Sequence, residues 1–160
     1  MVAFDASSMI HAWDNYPPDK FPQLWNWIAE QIGSEEVVMS AVAFDEVGHK
    51  IPDCHAWLGS VGIKPLPVDN AILLKAIEIK NLLGIINDKY FATGVDENDV
   101  FIIATSSVHN IELVSNEARQ ATPPLEAGKR KIPAVCVLPQ VNVPCLNFLD
   151  FIKRSGEVFG

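Results

Sequence analysis

A chain of 160 residues fits a single globular domain spanning residues 1–160. Its hydrophobic share of 49% against 20% charged supplies a core and excludes a disordered tail. Acidic residues outnumber basic ones 20 to 12, a formal charge of −8 that repels polyanions at long range, so any nucleic-acid partner requires something to screen the carboxylates.

Val2 to Phe4 is short, apolar and followed at once by Asp5, the pattern of a buried parallel strand ending in an acid. Ser7 and Ser8 then offer capping hydroxyls ahead of MIHAW. After the proline break YPPDKFP, the segment QLWNWIAEQIG carries Leu24, Trp27, Ile28 and Ile32 at helical spacing and closes at Gly33. Glu36 to Ser40 reads as a second core strand, AVAFDEVGHK as a helix that Pro52 interrupts, and CHAWLG as a further helix. Two prolines confine Ile63 to Val68 to an edge strand or a linker. Asp69 is a ready N-cap for a long helix reaching Ile86, with residues 72, 73, 76, 77, 79, 82, 83 and 86 on one apolar face. Another helix begins near Glu97, and Leu113 and Val114 suit a strand. PAVCVLP reads as the last strand and VPCLNFLDFIKRSG as a closing helix with a basic last turn.

The apolar runs are broken by proline and fall short of the roughly 20 residues of a membrane-crossing helix. MVAFDASSMIHAWD lacks the basic-then-apolar pattern of a secretory signal, and Cys54, Cys136 and Cys145 form no CxxC pair. A cytoplasmic protein with reduced thiols and no membrane partner is expected. His11, His49, His55 and His109 show no HxxxH spacing and are expected at the surface or at helix ends.

Strands alternating with helices predict an α/β fold of three layers, α/β/α, around a parallel sheet of four or five strands. Ligands of such sheets bind beyond the carboxyl ends of the strands. Asp5 follows the first strand, Glu46 lies in the first turns after the second, Asp99 opens the helix before LVS, and Glu117 follows that strand. Four carboxylates gathered at one edge repel one another unless a cation neutralises them. Hard oxygen donors select Mg²⁺ or Mn²⁺, and phosphodiester hydrolysis is the natural chemistry of such a site. Each acid also has a structural reading. Asp5 can cap the following turn, and Asp96 and Asp99 can be an N-cap and a first-turn acid. Asp45 and Glu46 lie roughly 100° apart on a helix, so at most one of them is expected to face the site and the other to be solvated, and Glu117 can simply begin the next segment.

VAFDASSMI, AVAFDEV, DVFIIATS and LVSNE together resemble, in order, the opening acidic strand, the second acidic motif, the D-x-x-I-A-A-T-A helix and the LVTND strand of PIN-domain nucleases, the family that includes VapC-type toxins of toxin–antitoxin pairs. YPPDKFPQLWNWI followed by DEV and CHAWL is similar to an uncharacterised bacterial PIN-like subfamily, so the likeness spans nearly the whole chain. The resemblance implies a PIN-like fold and a metal-dependent endoribonuclease. Asp5, Glu46 and Asp99 would be its catalytic, metal-binding acids, Glu117 a fourth, and Ser7 and Ser115 supporting hydroxyls. It implies Mg²⁺ or Mn²⁺ as cofactor, RNA as substrate, and a cognate antitoxin and a second copy of the chain as partners. The sequence departs from the family at Glu117, where aspartate is commoner, and Asp96 is available as a substitute.

Lys129, Arg130 and Lys131 are either RNA contacts or, by default, a solvated loop. Rival α/β enzymes lack their motifs here: CVLPQ carries no receiver-type lysine, position 7 is serine where a dehalogenase-like phosphatase has its second aspartate, and neither GxGxxG nor GxxxxGK occurs. The remaining alternative is a PIN-like fold kept as a binding module whose acids hold no metal.

Overall fold

Short, mostly apolar strands set the centre of the molecule. The computed structural model describes residues 1–160. Strands β1 (Val2–Phe4) and β2 (Val37–Ser40) are buried at every position, as strands covered on both faces must be. With β3 (Pro65–Leu66), β4 (Glu112–Val114) and β5 (Cys145–Leu146) they form a five-stranded parallel sheet in the order β3-β2-β1-β4-β5. Val2 pairs with both Val37 and Glu112, so β1 is central and the winding reverses between β1 and β4. The expected proline-bearing edge is β3.

The parallel strands are joined through α1 (Ala6–Asn15), α2 (Pro22–Gly33), α3 (Ala41–Lys50), α4 (Pro52–Ser60), α5 (Asn70–Leu82), α6 (Glu97–His109) and α7 (Ile132–Cys136), and α8 (Phe148–Ser155) follows the last strand. Their starts follow from local chemistry. The Ser40, Asp69, Asp96 and Asn147 side chains accept backbone N–H bonds from Ala43, Ile72, Asp99 and Asp150, so all four are working N-caps. Buried side chains from sheet and helices merge into one core of 37 residues. Within it Phe4 meets Phe151 and Phe148 edge to face, with centroids 5.1 and 6.1 Å apart. Trp25 likewise packs against Trp13 and Trp57, at 5.1 and 4.9 Å. No helix is long and apolar enough to cross a membrane.

Three elements differ from the sequence expectation. PAVCVLP is not a strand: Ile132–Cys136 is helical, because Pro133 falls in the first turn, where a missing N–H costs nothing. The fifth strand is Cys145–Leu146, inside the segment expected to be helical, and the closing helix waits for its cap at Asn147. Helix α5 ends at Leu82, since Gly84 turns into the left-handed region (φ 68°), and of its expected apolar face Leu73 and Ile77 are exposed.

One close backbone approach ties two loops together beside the carboxyl edge of the sheet. A Cβ built on Gly94 would stand 2.0 Å from the carbonyl oxygen of Gly128, and the Val95 amide donates to the Arg130 carbonyl at 2.9 Å. Gly94→Ala is therefore expected to lower unfolding free energy by about 3 kcal/mol, an overpacking cost against backbone that has no rotamer to yield. Urea denaturation of the two proteins measures it, and a change below about 0.5 kcal/mol would show that the loops part freely.

Candidate active site

Asp5 occupies the N-cap position of α1 (φ −69°, ψ 154°), yet its side chain makes no capping bond. Its carboxylate turns instead across the sheet: Oδ2 accepts from the Ser115 hydroxyl at 2.9 Å and from the Ser7 hydroxyl. The ladder positions these partners, because the Asp5 amide donates to Val114 and the Ser115 amide to Leu146, each at 2.9 Å. Ser7 is also fixed from the other side, its Oγ accepting from the Asn116 amide at 3.0 Å. Ser7 thus orients the acid and does not cap the helix. Ser8 donates to the Asp5 and Val114 carbonyls, both at 2.7 Å, pinning α1 to the β1–β4 seam. This seam is where the winding reverses, the place where open α/β sheets bind ligands.

Asp5 is 2% exposed and forms no ion pair. Burial pushes its carboxyl up to about 6; the serine hydroxyls oppose that rise, and the negative charges of Glu117 and Glu46 add to it. Asp99 is pushed up to about 8, first by burial and then by Glu117, Asp96 and Asp5, against the stabilising Asp96 backbone N–H. Asp5 therefore lies within electrostatic reach of Glu46 and Glu117, and Asp99 within reach of Asp5 and Glu117.

Each of the other three is held by a neighbour. Glu46 Oε1 accepts from the Lys50 ammonium at 2.5 Å. Asp99 Oδ2 accepts from the Asp96 amide while Asp96 Oδ1 accepts from the Asp99 amide, both at 2.9 Å, a reciprocal capping box. Glu117 Oε2 accepts from the Ile132 amide at 3.2 Å. In this arrangement no three Asp, Glu, His or Cys side chains stand close enough to share one ion. The donors are nonetheless the right kind for a hard dication: carboxylates and hydroxyls around a buried acid without a counter-charge. To hold one with Asp5, Glu46, Asp99 and Glu117 would have to leave the Lys50, Asp96 and Ile132 contacts that engage them here.

Glu46, alone of the four acids, lines a cleft of about 500 Å³, together with Val42, Asp45, His49, Lys50, Asp96 and Asn98. Asp45 and Glu46 both reach it, Asp45 from its exposed rim and Glu46 from its half-buried wall. Lys129, Arg130 and Lys131 are not a solvated loop. All three are half-buried, the Arg130 carbonyl binds the Val95 amide next to Asp96, and the following residue Ile132 binds Glu117. Lys50 and Asn116 belong to no motif, because their roles depend on contacts between helix and strand ends. The one available signal was the Glu46–Lys50 spacing of four on a predicted helix.

The chain matches, over residues 2–159, a family described as a domain of unknown function, DUF4411. No protein of curated function matches it. Among solved structures it is similar to VapBC2 from Rickettsia felis bound to a DNA fragment from their promoter, with a TM-score of 0.58 and 13% identity over 92% of this chain and 98% of that one. It is similar as well to FitAcB from Neisseria gonorrhoeae, with a TM-score of 0.54 and 15% identity over 93% of this chain and 99% of that one. At such identities the likeness is one of fold, and the shared fold is PIN-like. The chain therefore belongs to the DUF4411 family and builds its carboxylate edge on a PIN-like sheet.

Proposed function

We propose that this protein is a Mg²⁺- or Mn²⁺-dependent endoribonuclease acting through Asp5, Glu46, Asp99 and Glu117. The observation that carries the reading is the buried Asp5 carboxylate at the winding reversal, surrounded by like charges and paired with no base. A group so placed is costly unless a cation is its partner. A bound dication would stabilise the negative charge that builds on a phosphodiester under attack by water. The chain's own contribution is to aim Asp5 through Ser7 and Ser115, to hold Glu117 against α7, and to set Glu46 in the wall of a cleft in which an RNA strand can lie.

The resident protein complexes among the fold neighbours, VapBC2 and FitAcB, support a cognate antitoxin as partner and the toxin of a toxin–antitoxin pair as the cellular role. The exposed Leu73, Leu74 and Ile77 of α5 suit the expected pairing with a second copy of the chain. A binding module without metal is the second reading, favoured by the capping box that engages Asp99 and by the Lys50 contact that engages Glu46.

Incubation of the purified protein with structured RNA, with and without Mn²⁺, tests the first reading. Cleavage is expected only with Mn²⁺, and Asp99→Asn is expected to reduce it by about a hundredfold or more. Equal cleavage by the variant would assign the activity to a contaminant, and absence of both Mn²⁺ binding and cleavage would favour the module.

A further inference from the structure

We infer that Lys50 is an exchangeable cation of the site: its ammonium holds Glu46 while no dication is present, and passes to a phosphate of the bound nucleic acid when Glu46 takes a dication. The inference rests on the nuclease reading above and deepens it.

Lys50 stands in the last turn of α3, one helical turn beyond Glu46, with Nζ 2.5 Å from Oε1. The pair is asymmetric. The Glu46 side chain is 19% exposed and fixed in the wall, whereas that of Lys50 is 59% exposed and ends a long flexible stem. The ammonium also feels the negative charges of Asp5 and Asp96, behind Glu46 in strength. No other lysine or arginine lines the 500 Å³ cleft, so Lys50 is its resident ammonium among Asp45, Glu46 and Asp96. A dication accepted by Glu46 competes for the same oxygens, and two cations on one carboxylate repel. The displaced ammonium remains tethered in the lining of a cleft that an RNA strand would enter, where a phosphate is the available anion.

An ordinary helix-surface ion pair predicts something different, namely a slight loss of thermal stability on removal and no effect on either ligand. Exchange predicts opposite effects on the two ligands. Calorimetric titration with Mn²⁺ alone is expected to show Lys50→Met binding the ion about tenfold more tightly than the parent. Fluorescence anisotropy with a 2′-O-methyl oligoribonucleotide at saturating Mn²⁺ is expected to show the same variant binding the strand several-fold more weakly, with a salt slope reduced by about 0.7. Lys50→Arg keeps the charge and is expected to stay near the parent in both. Unchanged Mn²⁺ affinity in Lys50→Met, or strand affinity unchanged beside it, overturns the inference while leaving the nuclease reading intact. No Mn²⁺ binding by either protein overturns both.

Discussion

Asp5→Asn is expected to abolish Mn²⁺-dependent cleavage, by about a thousandfold or more, without loss of the fold. The replacement is nearly isosteric, and the amide oxygen can still accept from Ser7 and Ser115, so the β1–β4 seam keeps its hydrogen bonds. What disappears is the negative charge at the centre of the acidic edge, and a thousandfold corresponds to about 4 kcal/mol of transition-state stabilisation. Single-turnover cleavage assays measure the rate and calorimetry the accompanying loss of Mn²⁺ affinity. Retention of more than a tenth of the parental rate by a properly folded variant would remove Asp5 from the catalytic set.

The same charge makes the metal-free protein less stable as it ionises. Burial and neighbouring acids raise the carboxyls of Asp5 and Asp99 to about 6 and about 8 from an ordinary 3.8, so the folded state holds these protons more tightly than the unfolded chain. Their stabilising contribution is complete below pH 3.8 and is lost as pH climbs through 6 and then 8. For the fully buried Asp5 the loss is of order 3 kcal/mol, while solvent screening makes the half-buried Asp99 contribute less than its shift alone suggests. Thermal melts without metal, compared between the parent and Asp99→Asn, should therefore show the variant gaining stability relative to the parent from pH 5 to pH 8.5. Mn²⁺ should reverse the trend, raising the melting temperature of the parent more at pH 8 than at pH 5, because it binds the ionised acids. A parental stability that rises over this range relative to the variant would mean that the acids already have counter-charges.

Much of this architecture is legible in the residues because local and global preferences agree. VAF and EVVMS can only be buried strands, and Asp69 and Asp96 sit where helices need caps. Agreement fails near the end of the chain. PAVCVLP is β-branched enough to suggest a strand, but Pro133 suits a first helical turn equally well, and periodicity over five residues cannot separate the two. The two-residue β5 has no pattern of its own; it exists because the edge of β4 accepts it. At the site, the sequence identifies which acids are delivered to the edge but not what holds each one. Asp5 looks like a cap and is not, whereas Asp99 looks like a catalytic acid and is also half of a capping box. Such distinctions depend on side-chain direction, which Ser115 settles for Asp5 from 110 residues away.

The central place of β1 gives the chain an uneven tolerance to added length. Side chains alternate between sheet faces at every residue, so one extra amino acid between Val2 and Asp5 would carry the acid away from Ser115 while breaking the pairing with β2 and β4 together. The exposed stretch from Ala121 to Pro123 belongs to no helix or strand, and lengthening it disturbs neither ladder. In a scan of single-residue insertions, the first stretch would mark the mutational bottleneck of the molecule and the second a natural point for fusing a tag or a fluorescent reporter.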